Sequence, residues 1–434
     1  MRANQPGVTT WLGRRVLARV RRRNVDLTKM PFVPNILMMP LQRDGVDPVP
    51  GLATMREQAQ VTKLARMFGM TIWLVTGHEA TRTLLGNTSD FSNDIRPYIG
   101  GNQESAERYI GGLGFTDPPE HTRLRKILTP EFTMRRLERL KPRIAAIVEG
   151  QLDELEAAGQ GADLVEHFAA PIPFLVICEL LGLHDEDRVQ FQQYGQARFD
   201  VTQGGIGSLG AVSESRQFLL DAVKRQRDNP GDGLIGKLIQ EHGGEIDDFD
   251  LGGLADGVFT GGFETSASML ALGAMVLTQH PDEFEWLRSD DTAVEPVVEE
   301  LLRYLSVVQI AFPRFARDDL ELYGQQVAAG DVVVMSLSGA NRDATSAGNP
   351  GGGTGSDNSL EQFDPRRLSA PHYAFGHGFH RCIGAELARI ELRAAYPALV
   401  RRFPKLRLAV DQSELNFRKL SIVYGIEALP VRWD

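Results

Sequence analysis

The chain has 434 residues, 42% hydrophobic and 24% charged, which excludes disorder over the whole length and permits a large buried core. With 47 Lys and Arg against 57 Asp and Glu the net charge is −10, and an acidic chain lacks the basic surface that supplies non-specific nucleic-acid affinity. The two cysteines, Cys178 and Cys382, are too few for a disulfide framework or a multi-cysteine zinc site.

The first 30 residues carry eight cations against one acid, Asp26, so this segment is +7 and the remainder −17. Trp11, Leu12, Val16, Leu17 and Val20 form a partly helical apolar face opposite the arginines. Such a segment suits an anionic membrane surface. It suits better a solvated helix against the body, the commoner case for a basic amphipathic patch. The basic extension is assigned to residues 1–45 and the body to 46–434. No stretch reaches the ~20 apolar residues of a membrane span. The nearest, residues 168–183, contains Glu179 and two prolines. No transmembrane anchor is therefore expected. Few cysteines and no signal-peptide pattern point to the cytoplasm.

Beyond the extension, a turn-rich stretch at 45–50 leads to a predicted helix over 52–66 and a strand over 70–75. Helical periodicity then dominates from 120 to 305. It is clearest over 139–158, 173–183, 213–227, 250–279 and 294–304. Short apolar runs follow, such as 332–337, then a helix over 385–403 and a β-like end over 406–433. The fold class is mainly α with small β-sheets, an α+β arrangement rather than an alternating βαβ array. Residues 94–114 are glycine-rich and weakly periodic. Residues 346–359 are low-complexity and lack the Gly-Lys-Ser/Thr of a phosphate loop, so they read as a flexible insertion.

The strongest chemical signal is Phe375-Gly376-His377-Gly378-Phe379-His380-Arg381-Cys382-Ile383-Gly384. A cysteine after a glycine-rich turn and before a helix gains a thiolate-favouring environment from the helix N–H groups. Gly384 allows a bulky flat group to approach. Such a thiolate is a candidate axial ligand of haem iron. Read alone, Cys382 fits a small buried hydrophobe better, and so does Cys178. A second cluster, Gly261-Gly262-Phe263-Glu264-Thr265-Ser266, lies inside a helical pattern. Each interior glycine costs ~1 kcal/mol relative to Ala, so two together need close packing or a ligand. An adjacent acid and alcohol can hold water and relay protons. A third, Glu300-Leu301-Leu302-Arg303, would be worth only ~0.2–0.5 kcal/mol as a surface pair.

The segment 375–384 resembles the haem-ligand signature of the cytochrome P-450 superfamily, Phe-x-x-Gly-x-x-x-Cys-x-Gly, in its soluble bacterial form. The other motifs follow in family order, and the resemblance covers roughly residue 47 to the C-terminus. It implies one domain with haem b buried between two central helices and Cys382 as the thiolate ligand of the iron. It implies that Gly261 and Gly262 open a groove for dioxygen, and that Glu264 and Thr265 deliver protons. His121, Arg125, Arg314 and His380 would hold the haem propionates, with Phe375 and Gly384 against the macrocycle. Glu300, Arg303 and Arg367, the last in Phe363-Asp364-Pro365-Arg366-Arg367-Leu368, would form a structural network.

The resemblance also implies a haem-thiolate monooxygenase. One atom of O2 enters a C–H or C=C bond and the other becomes water, at the expense of two electrons and two protons. Phe259, Phe263, Val307, Val308, Ile310 and Phe312 are the expected apolar walls for a small hydrophobic substrate, with Gln309 the polar candidate and Gly204 to Gly207 a lid. Electrons would come from a separate ferredoxin and ferredoxin reductase, or a flavoprotein, and the protein would be a monomer. Residues 120–143 carry eight Lys or Arg against three acids. Arg123, Lys126, Arg135, Arg136 and Arg139, extended by Arg381, Arg389 and Arg393, are the expected docking cations. Two alternatives are a peroxide-using peroxygenase of the same fold, against which Glu264 and Thr265 argue, and a non-catalytic haem-binding protein.

Overall fold

A helix of 32 residues, Asp248–Gln279, runs through the middle of the molecule. Asp247 caps it by accepting the Asp250 N–H at 2.8 Å, and Asp248 and Asp250 place negative charge on its N-terminal dipole. Pro281 follows its end and cannot continue it. The apolar run Met269 to Leu277 is almost fully buried, and truncating one such Leu or Met to Ala typically costs ~2–5 kcal/mol. The computed structural model describes residues 34–67, 69–97, 113–199, 209–344, 360–367 and 371–434. Most of the basic extension, the 204–207 lid and the 346–359 insertion therefore lie outside the described residues.

The helices that frame the site are α1 (Glu120–Leu128), α2 (Pro171–Leu181), α3 (the Asp248–Gln279 helix), α4 (Val294–Leu305) and α5 (Ala385–Arg402). A five-stranded sheet packs to one side: β1 (Val61–Met67), β2 (Met70–Val75), β3 (Phe91–Ser92), β4 (Arg314–Ala316) and β5 (Val332–Met335). Its order is β1-β2-β5-β4-β3, with β2 and β5 parallel and the other pairs antiparallel. The architecture is thus a mainly helical domain with small sheets, and no helix among the described residues is long and apolar enough to cross a membrane.

The expected helix over 52–66 is in fact the helix Pro50–Gln58 followed by strand β1. β1 pairs with β2 from Val61 against Val75 to Met67 against Met70, with Gly69 at φ +85 in the turn. The tertiary partner overrides the local helical pattern here, as is common for short half-buried segments. Helices not singled out from periodicity include His78–Gly86, Asp185–Phe199, Leu234–His242 and Pro281–Ser289.

Packing continues on the N-terminal side of residue 46. Arg43 donates to the carbonyls of Leu305 and Ser306, to that of Val46, and to Gln309 Oε1, and lies over the Tyr424 ring. Gln309 is fully buried and also donates to the carbonyls of Leu41 and Ser421. It is therefore a structural clamp for residues 41–43, and not the polar group of a substrate wall.

Candidate active site

Cys382 sits just ahead of α5, in a turn closed by its own N–H donating to the Phe375 carbonyl at 2.8 Å. Gly376 and Gly378 adopt φ of +66 and +69, a region that penalises side chains. At Gly378 a Cβ would also come within 2.8 Å of the Leu85 carbonyl oxygen, so only glycine lets this turn lie against the helix His78–Gly86. Cys178 is fully buried on α2, and burial pushes its thiol up to about 12, consistent with an inert core residue. Cys382 is open to solvent on one side, yet enough protein surrounds the sulfur for burial to raise its pKa. The Gly384 N–H and the charges of Arg125, Arg381 and Arg389 pull in the opposite direction and favour the thiolate.

Four cationic or cationisable groups gather near this turn. The His121 ring lies 4.2 Å from Phe379 and 4.3 Å from His380, centroid to centroid. Arg125, one turn further along α1, donates to the Arg381 carbonyl at 2.7 Å. Arg314 on β4 is 2% exposed and donates to the Phe312 carbonyl. Burial, with Arg125 nearby, brings His121 down to about 4; burial, His121 and Arg314 bring His380 to about 3. Burial lowers Arg314 to about 10 and lowers Arg125 too.

These groups lack a counter-ion. Both ring nitrogens of His121 and Nε2 of His380 are buried without a hydrogen-bond partner. Neither Arg125 nor Arg314 forms an ion pair among the described residues. Buried polar groups are ordinarily satisfied, so two unpartnered histidines together with two arginines that lack a carboxylate partner, all beside one cysteine, fit a di-anionic ligand. Gly384 adds room, since a Cβ there would stand 4.0 Å from the Cys382 sulfur. The residues present therefore fit a haem with two propionates. Asp117, which sequence reasoning passed over, ties this region together. It accepts from Ser92, the Asn93 N–H and Arg317, while its carbonyl accepts the His121 N–H that opens α1.

On α3, Gly257 and Gly261 are exposed in the middle of the helix, between covered neighbours, and a Cβ at Gly261 would meet nothing within 4 Å. Four-residue spacing puts Gly257, Gly261 and Thr265 on one face, with Glu264 beside them. The Thr265 hydroxyl donates to the Gly261 carbonyl at 2.6 Å. Gly262 faces α2 instead, where a Cβ would lie 3.0 Å from Ile177. α3 and α5 are joined behind this face by Tyr396 donating to the Met269 carbonyl and by a Glu391–Ser266 hydrogen bond. Burial pushes Glu391 up to about 8.

The expected pocket walls divide. Phe259 is fully buried, 4.4 Å from Phe191 and 5.7 Å from Phe263, and Phe263 is 6.1 Å from Phe174. Both phenylalanines pack into the helical core about two residues of helix rotation away from the open glycine face, so Gly257 and Thr260 take their place there. On the segment after α4, Val307 and Gln309 point into the core, while Val308, Ile310 and Phe312 share the other face. Phe312 is 48% exposed and makes an edge contact with Phe115 at 4.8 Å.

The Glu300 network assembles. Arg303 donates to both Glu300 oxygens at 2.8 Å, and Arg367 Nε and the Asp364 N–H donate to Oε1 at 2.9 Å. A neighbouring cluster was not anticipated: Glu299 accepts from Arg389 and His372, which outweigh burial and hold its carboxyl down at about 2. Arg389 also lies over the Phe375 ring and pairs with Glu386, so it braces the cysteine turn and is not a free docking cation. Arg123 is similarly engaged by Glu120 and Asp250, Arg136 by Glu131 and Glu241, and Arg393 by Glu295.

An exposed-glycine helix face, a cysteine turn and two arginines with two unpartnered histidines beside it define the class of haem-thiolate protein. Residues 208–425 match the family model of cytochrome P-450. The chain is 38% identical over 398 residues to cytochrome P-450 165B3 of Amycolatopsis orientalis, covering 91% of this chain and 98% of that one. It is 37% identical to the cytochrome P-450 monooxygenase PikC of Streptomyces venezuelae, covering 90% and 92%. Among solved structures, OxyE, a cytochrome P-450 involved in teicoplanin biosynthesis, superposes with a TM-score of 0.81 at 36% identity, over 91% of this chain and 99% of that one. The chain belongs to the cytochrome P-450 family. It is a P-450 monooxygenase whose cofactor is haem b held by a cysteine thiolate.

Proposed function

We propose that Cys382 is the ligand thiolate and that the enzyme oxidises a small hydrophobic substrate with electrons from a separate ferredoxin and its reductase. The observation that carries the site is the pair of histidines with unpartnered buried ring nitrogens, His121 and His380, set with Arg125 and Arg314 beside the cysteine turn. Haem, when bound, supplies oxygen activation and redox chemistry, and a thiolate ligand favours O–O cleavage. The chain's own residues do the rest. Arg125, Arg314, His121 and His380 would bind and orient the propionates. Gly257 and Gly261 would leave room for the bound haem and its ligands, and Thr265 and Glu264 would hold and pass protons toward that space. Val308, Ile310 and Phe312 offer an apolar face for the substrate. The acid–alcohol pair favours use of O2 over the peroxygenase alternative.

Lys126, Arg135, Arg139 and Arg381 are exposed and form no ion pair among the described residues. They are the docking cations for an acidic electron donor. The deciding experiment is the carbon monoxide spectrum of the reduced protein. The red-shifted thiolate band is expected in the native enzyme and lost in Cys382→Ala. Retention of that band in the variant refutes the ligand assignment.

A further inference from the structure

Glu264, the acid of the relay, is already engaged. Its Oε1 accepts from Arg418 Nη1 at 2.8 Å, and the two side chains are only 12% and 14% exposed. Burial raises the carboxyl pKa, and the Arg418 charge and hydrogen bond oppose that rise. Arg418 lies 154 residues further along the chain, in the C-terminal segment. Its own N–H donates to the Gly425 carbonyl at 2.8 Å, and its Nη2 reaches the Ile426 carbonyl. Gly425 is what gives the guanidinium room. A Cβ there would stand 3.1 Å from Arg418 Cζ and 2.7 Å from the Ser268 hydroxyl.

The same segment is bonded to the strand that follows α4. The Gln309 N–H donates to the Ile422 carbonyl at 3.0 Å, and the Tyr424 N–H to that of Val307 at 2.7 Å. Val308 and Val423 form a β-bridge. One piece of backbone therefore joins the relay acid to the apolar face formed by Val308, Ile310 and Phe312.

The geometry points to Arg418 as a positioning residue that latches Glu264, holding its carboxyl group aimed at the C-terminal segment until the pair opens toward Thr265. This inference rests on the relay reading of Glu264. Titratable groups on the packed elements include Asp256 on α3, Glu179 on α2, Glu391 on α5, and Lys419 and Glu427 on the C-terminal segment; among the described residues Arg418 is the group that hydrogen-bonds Glu264. Without Arg418, burial acts unopposed and shifts the carboxyl further toward its protonated form.

The test uses the haem-loaded enzyme and the variants Glu264→Gln, Arg418→Gln and Arg418→Lys. The first readout is the infrared band of the protonated carboxyl across pH, assigned by its loss in Glu264→Gln. The second is the fraction of O2 released as peroxide with an added ferredoxin, its reductase and no organic substrate. In Arg418→Gln the band should persist to higher pH and the peroxide fraction should rise at least about twofold, with haem content unchanged. Arg418→Lys should restore most of both. Should Glu264→Gln leave the peroxide fraction at the native value, the relay reading itself fails. If Glu264→Gln raises peroxide while Arg418→Gln leaves either readout unmoved, the latch is refuted. If Arg418→Gln loses haem, Gly425→Ala, which crowds the guanidinium, is read by the same two measurements with the same outcomes.

Discussion

Replacing Glu300 with alanine separates a surface ion pair from a buried network by an order of magnitude. Glu300 is 5% exposed, with Arg303 at 1% and Arg367 at 6%. The carboxylate accepts from Arg303 twice, from Arg367 and from the Asp364 N–H. Its removal leaves two guanidinium groups buried without their carboxylate, although Arg303 keeps the carbonyls of Asn341, Leu360 and Gln362. Breaking a buried charge pair in this way costs ~3–5 kcal/mol, against ~0.2–0.5 kcal/mol for an exposed i,i+3 pair. Unfolding a chain of this length gains roughly 0.9 kcal/mol/K. A loss of 4 kcal/mol therefore lowers Tm by roughly 4–5 °C when unfolding is a single transition. Thermal and denaturant unfolding of haem-loaded Glu300→Ala measures this directly. Molecules that retain haem should keep the thiolate carbon monoxide band, because the network touches neither sulfur nor iron. A Tm shift below about 1 °C would refute the buried-network account.

Acid sensitivity should depend on haem. His121 and His380 titrate at about 4 and about 3, below the free value of about 6.5, so between these limits the unfolded chain binds more protons. Haem-free protein accordingly loses stability as pH falls from about 6.5, whereas anionic propionates favour the charged rings and flatten the haem-loaded curve. Superimposable acid-unfolding curves with and without haem would contradict the propionate cradle. Charge reversal at Arg135 and Arg139 should slow electron transfer from an acidic ferredoxin, and salt should slow the native enzyme through screening over ~10 Å at 0.1 M. Rates indifferent to both would place the donor elsewhere.

The cysteine turn, the Glu264–Thr265 pair and the Glu300–Arg303 spacing could be read in the chain because each is local. A glycine at φ +69, an acid next to an alcohol, and an i,i+3 pair are set within ten residues. The long helices were also visible, since 3.6-residue periodicity over many turns is a strong signal. The strand Val61–Met67 was not, because its conformation comes from pairing with Met70–Val75 and not from its own residues.

What only the tertiary structure decided is which face of each element meets the site. Phe259 and Phe263 are apolar and beside the motif, yet they face Phe191 and Phe174, while two glycines form the open surface. Gln309 is polar and on the expected strand, yet it clamps Arg43. Arg389 and Arg123 are cations beside the expected docking surface, yet carboxylates from distant helices neutralise them. The Glu264–Arg418 contact spans 154 residues and has no sequence motif at all. Local chemistry is carried by neighbouring residues and can be read from them. Orientation and counter-ion choice are set by non-local packing, which depends on how the distant pieces of the chain fold together.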